Sequence, residues 1–119
     1  MPLASIAFAN QALDSGTGGA TNLMAYVGLC TASPGTTGAN EVSGGGYSRQ
    51  ACTWNGAASG SKTNSSTLTF TTSGATANTH FLTNSASTAG TYGIGGALAS
   101  SVTATTITVA AGALTVNAA

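Results

Sequence analysis

Charge is what this sequence has least of. Asp14, Glu41, Arg49 and Lys62 are the only side chains of fixed charge among 119 residues, and they cancel. Roughly a quarter of the residues are charged in an ordinary soluble domain. Grip on DNA or RNA needs several Lys or Arg to displace phosphate counterions, so nucleic acid is excluded as a partner. A polybasic membrane-surface segment is excluded for the same reason. Residues 97–119 carry no charge at all, but Ser and Thr interrupt them in alternation, so they do not read as a membrane span. A neutral surface favours association over solvation, which predicts a chain that lives in an assembly.

Titratable chemistry is just as scarce. One Asp, one Glu and one His stand far apart, with no nucleophile elbow and no ligand spacing. No enzyme, metal or cofactor is therefore expected. Gly93-Ile94-Gly95-Gly96 and Gly44-Gly45-Gly46 lack the following helix or Lys-Ser/Thr of a phosphate cradle. His80 reads as a strand residue making one hydrogen bond. Asn64-Ser65-Ser66 matches a glycosylation acceptor, but residues 1–20 have neither the basic start nor the apolar run of a signal peptide. The two cysteines, Cys30 and Cys52, either close a disulfide or lie buried as small hydrophobes.

In place of charge the chain has Ala, Thr, Gly, Ser and Asn, with few large apolar side chains to build a core. A thin core in a chain of one-domain length points to support from neighbouring subunits. Leu3 to Leu13 has helical spacing and Asp14 to Gly19 would end it, predicting an N-terminal arm or helix with a Gly-rich link over 1–20. The rest, 21–119, reads as strands: Leu23–Cys30, Ser48–Trp54, Thr67–Thr72, Thr79–Asn84, Thr91–Leu98, Val102–Val109 and Leu114–Val116. The first is apolar on both sides, as a central strand should be. The expected fold is all-β, a single-domain antiparallel β-sandwich of jelly-roll-like or Ig-like kind. Tyr47, Trp54 and Tyr92 are candidate core or interface residues, or alternatively a platform for host-surface glycan.

Glu41 and Arg49 flank Gly44-Gly45-Gly46, so a loop folding back there would bring them into a bidentate pair. The pair reads as a clamp within the subunit or as a contact between subunits. The stretch Cys30-Thr31-Ala32-Ser33-Pro34-Gly35-Thr36-Thr37-Gly38-Ala39-Asn40-Glu41-Val42-Ser43-Gly44-Gly45-Gly46-Tyr47-Ser48-Arg49-Gln50, followed by Thr53-Trp54, resembles a family of small tailed-bacteriophage virion proteins. Thr79-His80-Phe81 and Gly95-Gly96-Ala97-Leu98 extend the likeness, whereas Cys30 stands where the pattern has His and Ser33 where Asp is common. The resemblance implies a structural protein of the outer virion surface, made in the host cytoplasm. It implies self-association, as a homotrimer, and contact with the major capsid protein or other virion proteins. A single domain without shaft or repeats favours capsid decoration, a cement for the head. The alternative is a tail fibre or fibre-tip module that binds host glycan.

Overall fold

The computed structural model describes residues 23–56 and 61–117. The expected arm or helix over 1–20, including Asp14, lies outside the described residues. Every regular element among them is a strand: β1 (Tyr26–Cys30), β2 (Gln50–Ala51), β3 (Ser61–Thr63), β4 (Leu68–Thr71), β5 (Asn78–Asn84), β6 (Tyr92–Val102), β7 (Thr106–Val109) and β8 (Thr115–Asn117). All pairings are antiparallel.

The first layer is a four-stranded sheet in the order β2-β1-β5-β6. The second is a ribbon in which β3 pairs with β8 and β4 with β7. Alternation decides what meets between them. Val27, Leu29, Phe81 and Ile94 point from the sheet to Leu68, Phe70, Ile107, Val109, Leu114 and Val116 from the ribbon, and together they form the core. The intervening residues of the ribbon, Thr69, Thr71, Thr106 and Thr108, are exposed. The fold is thus all-β and sandwich-like, with few large side chains meeting in one seam.

The ribbon is a single ladder interrupted once. Ser61 to Thr63 face Asn117 to Thr115, and Leu68 to Thr71 face Val109 to Thr106, with the register changed by one residue between them. Asn64 fills the break. It is fully buried. Its Oδ1 accepts from Leu114 N–H at 2.9 Å, and its Nδ2 donates to Ser66 O at 2.9 Å and Ala110 O at 3.0 Å. Its own carbonyl accepts from Gly112 N–H at 2.8 Å. The amide thus supplies the hydrogen bonds that the ladder loses where it changes register. This also disposes of the glycosylation motif, since a buried, bonded Nδ2 presents no acceptor.

A bulge sets the other face of the sheet. Leu82 faces Gly95 but Asn84 faces Tyr92, so β6 has one residue more than β5 there. The extra residue shifts the alternation. Ile94 turns to the core, and Tyr92 turns the opposite way to pack with Cys30 and Leu82. Thr83 Oγ1 satisfies the bulged backbone, donating to Ile94 O at 3.0 Å and accepting from Ile94 N–H at 2.9 Å.

Several strand boundaries differ from expectation. Only Gln50–Ala51 of the expected Ser48–Trp54 strand pairs with β1. Beyond it the chain turns to the ribbon, where Asn55 N–H donates to Thr63 O and Ser65 N–H to Thr53 O. The alternation of Val102–Val109 runs across a turn, because the Thr72 hydroxyl and amide donate to the carbonyls of Ala104 (2.6 Å) and Thr105 (2.9 Å). β3, Ser61-Lys62-Thr63, has no apolar alternation and is placed by its partner β8.

Asn64→Ala removes three buried side-chain hydrogen bonds and strands their partners. It is expected to cost about 2–4 kcal/mol at 1–3 kcal/mol for each buried group left unpaired, read by urea unfolding. Asn64→Asp, which turns a carboxylate oxygen toward two carbonyls, is expected to be at least as damaging. Retention of wild-type stability by both would contradict the role given to this residue.

Candidate functional site

The most connected polar group lies on the sheet face opposite the core, beneath the loop 31–49. β2 leaves β1 after Val27, so the next backbone groups of β1 on that edge need other partners. Leu29 O accepts from Val42 N–H at 2.9 Å, and Glu41 makes an isolated bridge with Cys30. Leu29 N–H donates to Tyr47 Oη at 2.9 Å. A side-chain phenol stands where a strand would have stood.

That phenol leads to the charge pair. Tyr47 Oη donates to Glu41 Oε2 at 2.7 Å. Arg49 grips the same carboxylate with both edges of its fork, Nε to Oε2 at 2.9 Å and Nη2 to Oε1 at 2.8 Å. Its remaining Nη1 donates to Ala86 O at 3.1 Å and Ala89 O at 2.8 Å. Guanidinium geometry allows all of this at once, which a lysine ammonium would not. The structure therefore brings Glu41 and Arg49 together within one subunit, and the pair joins the glycine loop, the edge of β1 and the β5–β6 turn. The side chains are 13% and 21% exposed for Arg49 and Glu41, enough burial for the loss of either partner to be costly.

The glycines make the approach possible. Gly44, Gly45 and Gly46 all have positive φ, at 78°, 65° and 80°, a region that costs glycine nothing. Gly28, in the middle of β1, has no Cβ to block the clamp. One added there would stand 2.5 Å from Tyr47 Oη and 2.7 Å from Glu41 Oε2. A glycine inside an otherwise apolar strand is a recognised mark of close approach, and this was the available sequence signal for Gly28.

The other sequence candidates are placed differently. Cys30 and Cys52 are free and buried. Cys52 N–H donates to Ala25 O, so the two cysteines sit beside opposite ends of β1. Five residues of strand span about 17 Å, whereas a disulfide needs Cα atoms within about 7 Å. The expected alternative of a disulfide is corrected accordingly. Burial first, then the neighbouring Glu41 charge, pushes the Cys30 thiol up to about 12, and burial raises Cys52 to about 11.

The three aromatics differ in burial, Tyr92 being buried and Tyr47 and Trp54 half-buried. Tyr92 is buried and donates to Gly35 O at 2.9 Å. Trp54 Nε1 donates to Met24 O at 2.8 Å, and its ring packs on the core. Tyr47 stacks on Phe70 with centroids 6.4 Å apart. Each spends its polar atom on the subunit's own chain. His80 is half-buried, with Nδ1 2.8 Å from Thr79 Oγ1. Among the described residues no three His, Cys, Asp or Glu gather to hold a metal, and no helix is long and apolar enough to cross a membrane.

The loop that carries this clamp lies within the stretch that matches a known family. A comparison with protein families matches residues 4–117 to Gp80, described as Podophage GP4 fiber I protein gp80. The chain belongs to this family. It is a bacteriophage virion protein of the tail-fibre type. No curated protein matches it. Within this Gp80-family chain the motif from Asn40 to Arg49 has a physical meaning: it encodes a carboxylate, a hinge of glycines, a phenol and a guanidinium that close on one another.

Arg49→Lys is expected to lose about 1–3 kcal/mol, since an ammonium keeps the charge but cannot hold both carboxylate oxygens and the Ala86 and Ala89 carbonyls at once, leaving buried acceptors unpaired. Tyr47→Phe is expected to lose about 1–3 kcal/mol through the unpaired Leu29 N–H. Chemical unfolding of both variants checks these values. Values within error of zero would show that the clamp is not structural.

Alkaline pH should unfold the protein. Burial, reinforced at Tyr47 by its bond to Glu41, holds the phenols of Tyr47 and Tyr92 above their ordinary range. The folded state therefore keeps protons that the unfolded chain releases, from pH 9.0 upward for the thiols. Stability is fully present below that pH and falls as pH rises toward about 12. Melting temperature against pH tests this. Both thiols should react with a disulfide reagent only after unfolding, and rapid native-state labelling would contradict their placement.

Proposed function

We propose that the chain is a structural, non-catalytic subunit of the phage tail fibre, carried on the outer surface of the virion and assembled as a homotrimer. The family match over residues 4–117 carries this reading, because the family is described by its fibre protein. The description favours the fibre over the head decoration expected from the lack of a shaft.

The distribution of charge supports self-association. Glu41 and Arg49 are turned onto each other, so Lys62 is the one other side chain of fixed charge among the described residues. What remains outside is largely threonine, serine, alanine and glycine. Such a surface offers hydrogen bonds and short methyl contacts without like-charge repulsion between copies, and without charged groups to desolvate. Neighbouring subunits add the buried area that the thin core lacks, which stabilises the fold by mass action.

Sedimentation of the purified chain, with antibody labelling of particles in electron micrographs, tests the proposal. A trimer that persists on dilution and a few copies at the tail are expected. A monomer at all concentrations would overturn the assembly. Hundreds of copies across the head would replace the fibre with decoration.

A further inference from the structure

Asn55 and Gly56 form an exposed corner beside β3, where the chain has crossed from β2 to the ribbon. We propose that this pair is a self-modification site, at which the Asn55 side-chain amide is lost through a succinimide and water leaves a carboxylate in its place.

The nucleophile is the backbone nitrogen of Gly56, and the acyl centre is Asn55 Cγ. Their bond closes a five-membered ring, the Cγ–Nδ2 bond breaks, and Nδ2 departs as ammonia. Solvent base takes the proton of the Gly56 nitrogen, and solvent returns one to the leaving nitrogen. Water then opens the ring at either carbonyl. Attack at Cγ gives aspartate, whereas attack at the main-chain carbon leaves the chain running through the side chain as isoaspartate. Amide and water become acid and ammonia, with no change of oxidation state.

The fold selects which asparagine can react, because the attacking nitrogen must be unengaged. After Asn64 that nitrogen belongs to Ser65 and donates to Thr53 O at 2.9 Å, and after Asn84 it belongs to Ser85 and donates to Thr91 O at 3.0 Å. Asn64, Asn78 and Asn84 are also buried. Asn40 precedes Glu41, a bulkier residue whose carboxylate is tied to Arg49. Gly56 N–H, by contrast, makes no hydrogen bond among the described residues.

Glycine meets the second condition, which is space. It puts no Cβ beside its own nitrogen, and a Cβ built at Gly56 would meet no atom within 4 Å, so the surroundings leave room for the ring. The acyl partner is meanwhile held in place. Asn55 N–H donates to Thr63 O at 2.9 Å and Nδ2 to Thr63 Oγ1 at 3.0 Å, while the following peptide is open to turn.

The product matters more here than in an ordinary chain. It lowers a formal net charge of zero by one, on a surface of threonine, serine, alanine and glycine. Aspartate keeps its contact with Thr63, whose hydroxyl turns to donate to the carboxylate. Isoaspartate lengthens the main chain by a methylene and pulls at the Asn55 bond to Thr63 O. The charge is thus acquired with age, irreversibly and without a partner enzyme.

Peptide mapping of the full folded chain tests this. Trypsin cuts the chain only after Arg49 and Lys62, and the fragment 50–62 holds Asn55 as its one asparagine. The chain is incubated in alkaline buffer below pH 9.0, where the buried thiols stay protonated, and a digest of fresh protein sets the baseline. The fragment is expected to gain the mass difference of acid over amide and to split into two peaks of equal mass, while Asn40, Asn64, Asn78 and Asn84 stay amides. The isoelectric point falls in step. Gly56→Ala, which the open space and the lack of a positive φ permit, is expected to slow the conversion severalfold with melting temperature retained. Asn55→Gln should leave the fragment's mass constant through the same incubation. The proposal is overturned if Asn55 stays an amide in the folded chain while the urea-unfolded chain converts, if Asn64 or Asn84 converts as fast in the folded chain, or if Gly56→Ala converts as fast as the parent.

Discussion

The bidentate contact between Glu41 and Arg49 is the constraint around which the loop-covered face is arranged. A carboxylate at this depth requires a cation held in place, and a guanidinium with five donors requires acceptors for those the carboxylate does not use. The carbonyls of Ala86 and Ala89 provide them, so the β5–β6 turn is fixed to the glycine loop. Tyr47 in turn links the carboxylate to the open edge of β1. The lack of a side chain at Gly28 and the positive φ angles of Gly44 to Gly46 are conditions for this closure.

The two sides of the sheet are consequently held by different physics. One side is a seam of aliphatic and aromatic side chains against the ribbon. Among the described residues the other has a small buried apolar cluster of Cys30, Leu82 and Tyr92 and depends on hydrogen bonds that run through charged groups. Apolar burial tolerates modest repacking, whereas a polar network loses much of its value when one member is removed. A thin core and an internal ion pair are thus complementary.

The sequence made much of this legible where alternation and charge were the cause. Leu68-Thr69-Phe70-Thr71 alternates cleanly and is a strand with Leu68 and Phe70 buried. The isolated opposite charges at 41 and 49 could be paired by inspection because almost no competing charges exist. Properties that depend on tertiary partners were hidden. Ser61-Lys62-Thr63 has no strand pattern and is a strand because β8 lies beside it. Asn64 stood out only as part of a glycosylation motif, and its central place in the ribbon depends on residues near 110–114. Tyr47, Trp54 and Tyr92 could be recognised as amphipathic, but the directions of their polar atoms are set by Glu41, Met24 and Gly35, remote in sequence for the last two.

The ribbon that Asn64 repairs has a temporal consequence. Its two halves, 61–71 and 106–117, enclose the β5–β6 hairpin in chain order. The hairpin forms from near neighbours, but the ribbon must close a long loop around it, and such non-local pairing is slow compared with local contact formation. Until the β7–β8 connection bearing Ala110 and Leu114 arrives, Asn64 has none of its long-range partners. The hairpin therefore precedes the ribbon, and the amide at the register change acts as a latch on a pairing that closes late.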